Sequence, residues 1–326
     1  MNASAMPPLA VRPYQLLCIV CRIGAGRGDD LGDDRLAAIL SAVRDDPLRP
    51  VTLRCNADSC YRYQNPGRDE DTPEGALFNE KRDLDILQRM GLVPGDTRPA
   101  IEVFERLLAT VTETMGICAY PRETSPAWRG CAAARSSNYE RGREMGLAAV
   151  IPGRPAEEMA AEKEASARRI YEADRLLIRP HHLMCMTCFH GGREELAPIA
   201  ADNLFEAIDV IHKRPEIPIT LVRGCCMICP PCSLYDPGTG LCRAGMGMNL
   251  RDQKKDLDVL QKLGLEYGDT VPARELLELL YERIPSTRDV CGYGDGKERA
   301  WEWRICGEPE GREAYARGRA AKLGLS

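Results

Sequence analysis

Apolar residues recur at helical spacing along much of this chain. Between Leu196 and His212 they fall three or four apart, which predicts one apolar helix face, and Pro215 is expected to end that helix. Two later runs, Leu84 to Met90 and Leu257 to Leu263, have the same spacing, and each is followed by a Gly-Leu pair typical of a helix C-terminus. The pattern therefore predicts several amphipathic helices.

A Gly-Asp-Thr segment follows both of those later runs and predicts the N-cap of a further helix, over Pro99 to Val111 and again over Pro272 to Arg283. Short β-branched segments, Pro50 to Arg54 and Ile217 to Val222, predict strands that lead the chain into cysteine-bearing loops. The expected fold class is α+β and mostly helical, with short strands feeding metal-binding loops.

The same elements are expected twice because the sequence repeats itself. Three segments of the first half recur in order in the second: Arg12–Cys21 as Arg179–Cys188, Arg82–Thr97 as Lys255–Thr270, and Tyr139–Arg143 as Tyr315–Arg319. We interpret the chain as a tandem duplication, with one cysteine-rich unit over residues 1–151 and a second over 177–326. Residues 152–176, rich in Ala, Glu, Lys and Arg, are predicted to form an exposed linker helix.

Cysteine is the unusual part of the composition, with 15 among 326 residues. The net charge of -5 gives no reason to expect a nucleic-acid or anionic-membrane partner. No segment has the pattern of a signal peptide, and no apolar run approaches the roughly 20 residues that span a bilayer, so the expected location is the cytoplasm. In that reducing setting many thiols indicate metal binding or redox chemistry rather than a disulfide framework.

Six cysteine positions match between the two halves with small gaps. The matched positions are Cys18 with Cys185, Cys21 with Cys188, Cys55 with Cys225 or Cys226, Cys60 with Cys229 or Cys232, Cys118 with Cys291, and Cys131 with Cys306. Cys242 belongs to the second copy alone. The two halves are therefore not expected to hold identical centres.

The segment Leu221 to Cys242 carries the strongest metal-site signature. Cys226, Cys229 and Cys232 fall three apart and Cys242 follows, which is the pattern of thiolates that wrap an iron–sulfur cluster, with the 4Fe-4S type favoured. Zinc is the competing interpretation, although its usual pair of Cys-x2-Cys knuckles lies closer together than this loop and Cys185–Cys188 do.

The second copy resembles a small cysteine-rich bacterial and archaeal family of unknown function. The resemblance is carried by Arg179-Pro-His-His-Leu-Met-Cys185, Cys226-x2-Cys229-Pro, Cys242 and the run from Asp256 to Asp269. It implies a metal or iron–sulfur site made by Cys185, Cys226, Cys229 and Cys242, and it implies no reaction. The first copy departs from the pattern, because Tyr14 and Gln15 replace the two histidines.

The other candidate site residues each have more than one interpretation. The simplest set in the first unit is Cys18, Cys21, Cys55 and Cys60. His181 and His182 are candidates for contact with a cofactor, or are packing residues. The two Cys-x2-Cys pairs, Cys18–Cys21 and Cys185–Cys188, could instead be dithiol redox motifs. Cys118, Cys131, Cys291 and Cys306 are either further ligands or buried apolar residues.

The leading hypothesis is an iron–sulfur protein with at least one thiolate-ligated centre in each repeat, which exchanges electrons with a redox partner protein or serves a redox enzyme. One alternative is a structural zinc protein that binds a partner. Another is a redox enzyme that uses a cluster or a dithiol. No hydrolase or transferase motif stands out in the sequence.

Overall fold

A computed structural model describes residues 7–28, 30–57 and 72–325 of the chain. It divides into two compact units, Met1–Pro152 and Gly153–Ser326. Helices dominate both units, and each unit has one small mixed sheet, so the predicted α+β, mostly helical class is confirmed. No helix within the described ranges is long and apolar enough to cross a membrane.

Nine helices and strands are described in the first unit. In order they are β1 (Leu9–Val11), α1 (Pro13–Gly24), α2 (Asp34–Asp45), β2 (Pro50–Leu53), α3 (Ala76–Met90), β3 (Thr97–Pro99), α4 (Ala100–Thr110), α5 (Asn138–Glu144) and α6 (Leu147–Val150). Two single-turn 3₁₀ helices, at Pro126–Trp128 and Ala132–Arg135, lie between α4 and α5.

The second unit repeats this order and adds elements of its own. They are α7 (Ala156–Glu172), β4 (Leu176–Ile178), α8 (Pro180–Gly191), α9 (Leu204–Lys213), β5 (Pro218–Leu221), β6 (Tyr235–Asp236), β7 (Leu241–Cys242), α10 (Gly245–Leu263), β8 (Thr270–Pro272), α11 (Ala273–Arg283) and α12 (Glu313–Ala320). Helix α7 and the hairpin of β6 and β7 have no counterpart among the described elements of the first unit.

The two three-stranded sheets have the same topology. In the first unit β1 pairs parallel to β2, and β2 pairs antiparallel to β3. In the second unit β4 pairs parallel to β5, and β5 pairs antiparallel to β8. This matched pairing is what an internal duplication predicts.

Helices α3 and α10 end as the sequence predicts. Gly91 and Gly264 adopt the left-handed conformation, with φ of 64° and 71°, that an L side chain rarely adopts. The next residue closes the motif in each unit: the Leu92 amide donates to the Leu87 carbonyl, and the Leu265 amide donates to the Leu260 carbonyl.

Two predicted boundaries are wrong. The helix expected from Leu196 begins only at Leu204, because the Asp202 carboxylate accepts a hydrogen bond from the Leu204 amide at 2.8 Å and fixes the first turn there. The Gly-Asp-Thr segments do not cap the following helices. Their threonines begin β3 and β8, and strand pairing outweighs the capping tendency of the sequence.

One glycine of a later helix in each unit lets that helix approach the helix that carries the Cys-x2-Cys pair closely. A Cβ at Gly142 of α5 would lie 2.1 Å from the Val20 carbonyl oxygen of α1. A Cβ at Gly318 of α12 would lie 2.1 Å from the Thr187 carbonyl oxygen of α8. These glycines belong to the repeated Tyr-x-Arg-Gly-Arg motif, so the motif sets the helix spacing.

The tyrosine of that motif completes the contact. The Tyr139 hydroxyl donates to the Val111 carbonyl at 2.8 Å, and the Tyr315 hydroxyl donates to the Ile284 carbonyl at the same distance. Both acceptors are C-cap residues, of α4 and α11, whose carbonyls have no partner within the helix. Each unit thus fastens three helices with one motif.

Helix α7, predicted as an exposed linker, belongs to the second unit. Ile170 is fully buried in that unit's apolar core, and Lys163 forms an ion pair of 2.7 Å with Glu206 of α9. The other faces of α7 are largely exposed, as its composition predicts.

Candidate metal centres

Each Cys-x2-Cys pair lies within a helix, one turn apart. Cys18 and Cys21 are on α1, and Cys185 and Cys188 are on α8. A spacing of three residues places both thiols on one side of the helix, about 5–6 Å apart at Cβ.

Both helices start at a buried ion pair. The Arg12 guanidinium contacts Asp83 at 2.7 Å, and the Arg179 guanidinium contacts Asp256 at 2.7 Å. Each carboxylate also accepts a backbone amide hydrogen bond near the first turn, from Tyr14 in one unit and from His181 in the other. A carboxylate is favourable at a helix N-terminus, so this contact fixes where each cysteine helix begins.

The first unit brings four thiols together, and we call them the first four-thiol group: Cys18, Cys21, Cys118 and Cys131. The Cys131 amide donates to the Cys118 carbonyl at 2.8 Å, which joins the two late loops. Burial is the main cause of the raised pKa of Cys18, Cys21 and Cys118. The charge of Cys131 raises the pKa of all three further.

The second unit builds the matching set, the second four-thiol group: Cys185, Cys188, Cys291 and Cys306. These four residues line one cavity of about 510 Å³. The Cys306 amide approaches the Cys291 carbonyl at 3.4 Å, as in the first unit. The neighbouring Cys291 thiol lowers the pKa of Cys306 and has its own pKa raised in return.

A buried cation lies beside each four-thiol group. Arg82 is 1% exposed and donates a hydrogen bond to Cys118, and Lys255 is 2% exposed and lowers the pKa of Cys185, Cys291 and Cys306 by its charge. These two residues open the Asp-Leu-Asp run that is repeated in the two halves of the sequence. Lys255 also contacts the Asp252 carboxylate at 3.3 Å, and Arg82 also donates to Asn79. Both cations are therefore held in place beside the thiols.

Apart from Cys306, whose pKa is lowered, the thiols of these groups favour the protonated form when no cation is bound. Burial raises the pKa of Cys18 to about 11 and of Cys21 to about 12. Burial likewise raises the pKa of Cys188 to about 11, against the lowering effect of the Arg312 charge. A metal would therefore release protons when it binds here.

A second kind of group occurs in the second unit, and we call it the His–Cys group: His182, Cys226 and Cys229. The His182 Nδ1 lies 3.1 Å from the Cys226 Sγ, and the two sulfurs lie 4.0 Å apart. All three donor atoms lie within 4.8 Å of one another. Among residues 7–28, 30–57 and 72–325, this is the only set of three His, Cys, Asp or Glu side chains that meets this distance.

The protonation of the His–Cys group is set by its neighbours. Burial, and then the neighbouring His181, lower the pKa of His182 to about 4, which keeps the imidazole neutral. The neighbouring thiols of Cys225 and Cys226 lower the pKa of Cys229, which favours its thiolate form. A neutral imidazole and a thiolate are the forms that bind a metal.

Cys232 and Cys242 lie farther along the same loop. Tyr235 of β6 pairs with Cys242 of β7, so the hairpin returns Cys242 towards Cys232. Burial raises the pKa of Cys242, and the charges of Cys232 and Cys229 raise it further. Arg154 fastens the loop by donating to the Pro230 carbonyl.

The structure groups the predicted ligands differently from the sequence. The set Cys185, Cys226, Cys229 and Cys242 is divided, because Cys185 lies in the second four-thiol group and the other three lie in or beside the His–Cys group. His182 and Cys185 lie one turn apart on α8 but contribute to different groups.

In the first unit Cys55 is not grouped with Cys18 and Cys21. It is 1% exposed and its thiol approaches the Glu80 carbonyl at 4.0 Å. Cys60, also predicted as a ligand, lies outside the described residues. The four-thiol groups are completed instead by cysteines whose role the sequence left open: Cys118, Cys131, Cys291 and Cys306.

His181 and His182 have separate contacts although they are adjacent in sequence. The His181 Nδ1 lies 2.8 Å from the Asp256 carboxylate, while His182 faces Cys226. Their rings meet edge to face at 4.7 Å. His181 therefore supports the position of His182.

Sequence reasoning missed Arg82, Lys255 and Cys225. The signal for the first two was present, because a basic residue opens the repeated Asp-Leu-Asp run in both halves. All fourteen cysteines in the described ranges are free thiols.

Comparison of the chain with protein-family models, curated proteins and solved structures gives no match. The resemblance to the cysteine-rich family therefore stays a prediction from motifs. What this chain does has to be argued from the chemistry of its thiol groups.

Proposed function

We propose that this protein binds iron–sulfur clusters, one at the four-thiol group of each unit, and that it exchanges electrons with a redox partner protein. The observation that carries the proposal is the convergence, in both units, of four thiols from distant parts of the chain beside a buried cation. A cluster with four thiolate ligands is an anion, and the nearby charges of Arg82 and Lys255 would stabilise it.

The size of the four-thiol groups favours a cluster over a single zinc ion. At a zinc–sulfur distance of about 2.3 Å, the sulfurs of a tetrahedral site lie about 3.8 Å apart. In neither four-thiol group, all of whose members are described residues, do three sulfurs lie within 4.8 Å of one another. A cubane cluster is wider than one ion and suits a more open set of thiolates.

The number of ligands favours electron transfer over catalysis at these centres. Four thiolates fill the four iron positions of a 4Fe-4S cluster and leave none for a substrate. Burial of the thiols and the nearby cation would then set the reduction potential. The proposed compartment is the cytoplasm, where unpaired thiols persist.

The test is anaerobic purification followed by iron and acid-labile sulfide analysis and electron paramagnetic resonance. We expect equal iron and sulfide, and we expect Cys21→Ser and Cys188→Ser each to remove about half of the iron, since each breaks one of two four-thiol groups. Cys55→Ala is the matched control, because Cys55 is buried but lies outside the group, and its iron content should equal that of the wild type. A colourless protein that holds zinc would contradict the proposal.

A further inference from the structure

The His–Cys group differs from the four-thiol groups in size and in composition. Its three donors come from two places: His182 from the first turn of α8, and Cys226 and Cys229 from the loop after β5. The backbone of the loop is held towards the group, since the Cys226 amide approaches the Cys229 sulfur at 3.4 Å. The group is therefore built by the fold and not by chance proximity of surface side chains.

The distances in the group suit one metal ion. Donors around a tetrahedral zinc lie about 3.5–3.8 Å apart, from bond lengths of about 2.3 Å to sulfur and 2.0 Å to nitrogen. The observed separations of 3.1 Å and 4.0 Å fall on either side of that value. We propose that the His–Cys group is a separate site for a single divalent ion of the zinc class, with an exchangeable fourth ligand.

The fourth position follows from the surroundings of the group. Cys225 and Cys226 form part of the wall of a cavity of about 300 Å³, together with Met227 and Tyr235. Of the three donors, Cys226 lines this cavity, so the cavity borders one side of the group. Zinc sites with three protein ligands bind a water molecule or a small donor, whereas structural sites are closed by four protein ligands. The class of ligand it would take is a small anionic donor such as hydroxide, azide or a thiolate.

The first unit shows why this site is confined to the second. Gln15 occupies the position of His182, and its side-chain oxygen accepts a hydrogen bond from the Arg12 amide at 2.8 Å. Cys55, at the matching position of the loop, contacts the Glu80 carbonyl instead of a histidine. The cysteine helix therefore exists in a version that lacks the imidazole, and that version supplies a natural control.

The single-ion site goes beyond the proposed function and does not depend on it. It uses none of the eight cysteines of the four-thiol groups. The two ideas can therefore fail separately, and the test below includes a background in which both four-thiol groups are broken.

The test is an anaerobic titration of the full-length, metal-free protein with Co²⁺, followed by visible absorption. We expect thiolate-to-cobalt charge transfer and the d–d bands of tetrahedral cobalt. His182→Gln, which copies the first unit, should weaken binding at this site by more than about 100-fold, because even supporting residues around a metal contribute about 10–100-fold. His181→Gln, which removes only the support of His182, should weaken binding by about 10–100-fold.

The same titration in Cys21→Ser/Cys188→Ser protein separates this site from the clusters. We expect this protein still to bind one tetrahedral Co²⁺ per chain. The added substitution His182→Gln should abolish that binding, and the addition of azide without it should shift the cobalt spectrum. Equal Co²⁺ affinity with and without His182→Gln would overturn the site. A tetrahedral spectrum that azide leaves unchanged would overturn the exchangeable position.

Discussion

The two units share a fold and a four-thiol group, but only the second unit has a histidine beside its cysteine loop. The carboxylates that hold the two cysteine helices show the effect of this difference. Burial raises the pKa of Asp83 to about 6 although Arg12 lies beside it. In the second unit burial acts in the same direction, but the hydrogen bond from His181, with the charge and hydrogen bonds of Arg179, outweighs it and lowers the pKa of Asp256.

Replacing Tyr14 by His181 therefore adds a donor that helps to keep the carboxylate ionised, and replacing Gln15 by His182 adds a metal donor. Two neighbouring positions in one helical turn change the chemistry of a unit without changing its element order. The common fold therefore supplies the four-thiol group of each unit. The first turn of the cysteine helix and the later cysteine loop supply the His–Cys group of the second unit.

The largest effect is expected from substituting the glycine at the close helix contact that both units share. In Gly142→Ala and Gly318→Ala the new methyl group would lie about 2.1 Å from a backbone carbonyl oxygen. Backbone cannot move aside as a flexible side chain does, so each substitution should reduce the free energy of unfolding of its own unit by about 3 kcal/mol. Urea unfolding measures this, and the metal content of the same unit should fall with it.

Gly153→Ala is the control for this pair, because nothing lies within 4 Å of the added methyl group. Its free energy of unfolding should stay within about 0.5 kcal/mol of the wild type. If Gly142→Ala and Gly318→Ala also stay within that range, the close helix approach is not required by the fold.

The next effect concerns pH and the metal-free protein. The pKa of Cys18 and of Cys188 is raised by burial from 9.0 to about 11. A group whose pKa is raised by folding stabilises the folded state below its unfolded pKa, and this stabilisation is lost as the pH rises through the folded value. Both units should therefore lose stability between about pH 9 and 11, by up to about 2–3 kcal/mol for each of these thiols.

Unfolding at a series of pH values, with and without reconstituted clusters, measures this loss. The loaded protein should lack it, because its thiols are already deprotonated. The same alkaline loss in loaded and metal-free protein would contradict a role for these thiols as ligands.

A smaller effect is expected at the buried cations. In Arg82→Met and Lys255→Met a positive charge beside one cluster is removed, so the reduced cluster loses more stabilisation than the oxidised one and the midpoint potential falls. For one charge at several ångströms and an effective dielectric constant near 20, the shift is on the order of 100 mV. Redox titration followed by electron paramagnetic resonance should show one altered centre per variant, and Arg82→Lys should keep most of the potential.

The smallest effect is expected at the tyrosines that close each unit. Tyr139→Phe and Tyr315→Phe each remove one hydrogen bond of 2.8 Å to a C-cap carbonyl. The expected loss is about 1 kcal/mol in each unit, since the carbonyl is left without its donor. Thermal unfolding should give equal shifts for the two variants, and unequal shifts would show that the units are fastened differently.

The helices were predictable where the sequence carries a local stop. Gly91 and Gly264 end α3 and α10 because the left-handed turn is a property of that one position. The strands β3 and β8 were not predictable from Gly-Asp-Thr, since the same residues can cap a helix or pair with a strand. The partner strand, more than forty residues earlier, decides between the two.

The candidate site was predictable in kind but not in grouping. Cys226 and Cys229 are close in sequence and close in space. The partners of Cys18 are Cys118 and Cys131, about a hundred residues later, and spacing cannot show which distant loop returns to a helix. The available signal was that Cys118 and Cys131 match Cys291 and Cys306 in the second half. That match indicated metal ligands but did not show which centre they belong to.

The most direct test of the central claim is crystallography of anaerobically prepared protein with anomalous scattering measured at the iron absorption edge. We predict iron within the four-thiol group of each unit, bound by Cys18, Cys21, Cys118 and Cys131 in the first and by Cys185, Cys188, Cys291 and Cys306 in the second. Iron bound by Cys185 together with Cys226, Cys229 and Cys242, or no iron at either four-thiol group, would contradict the account.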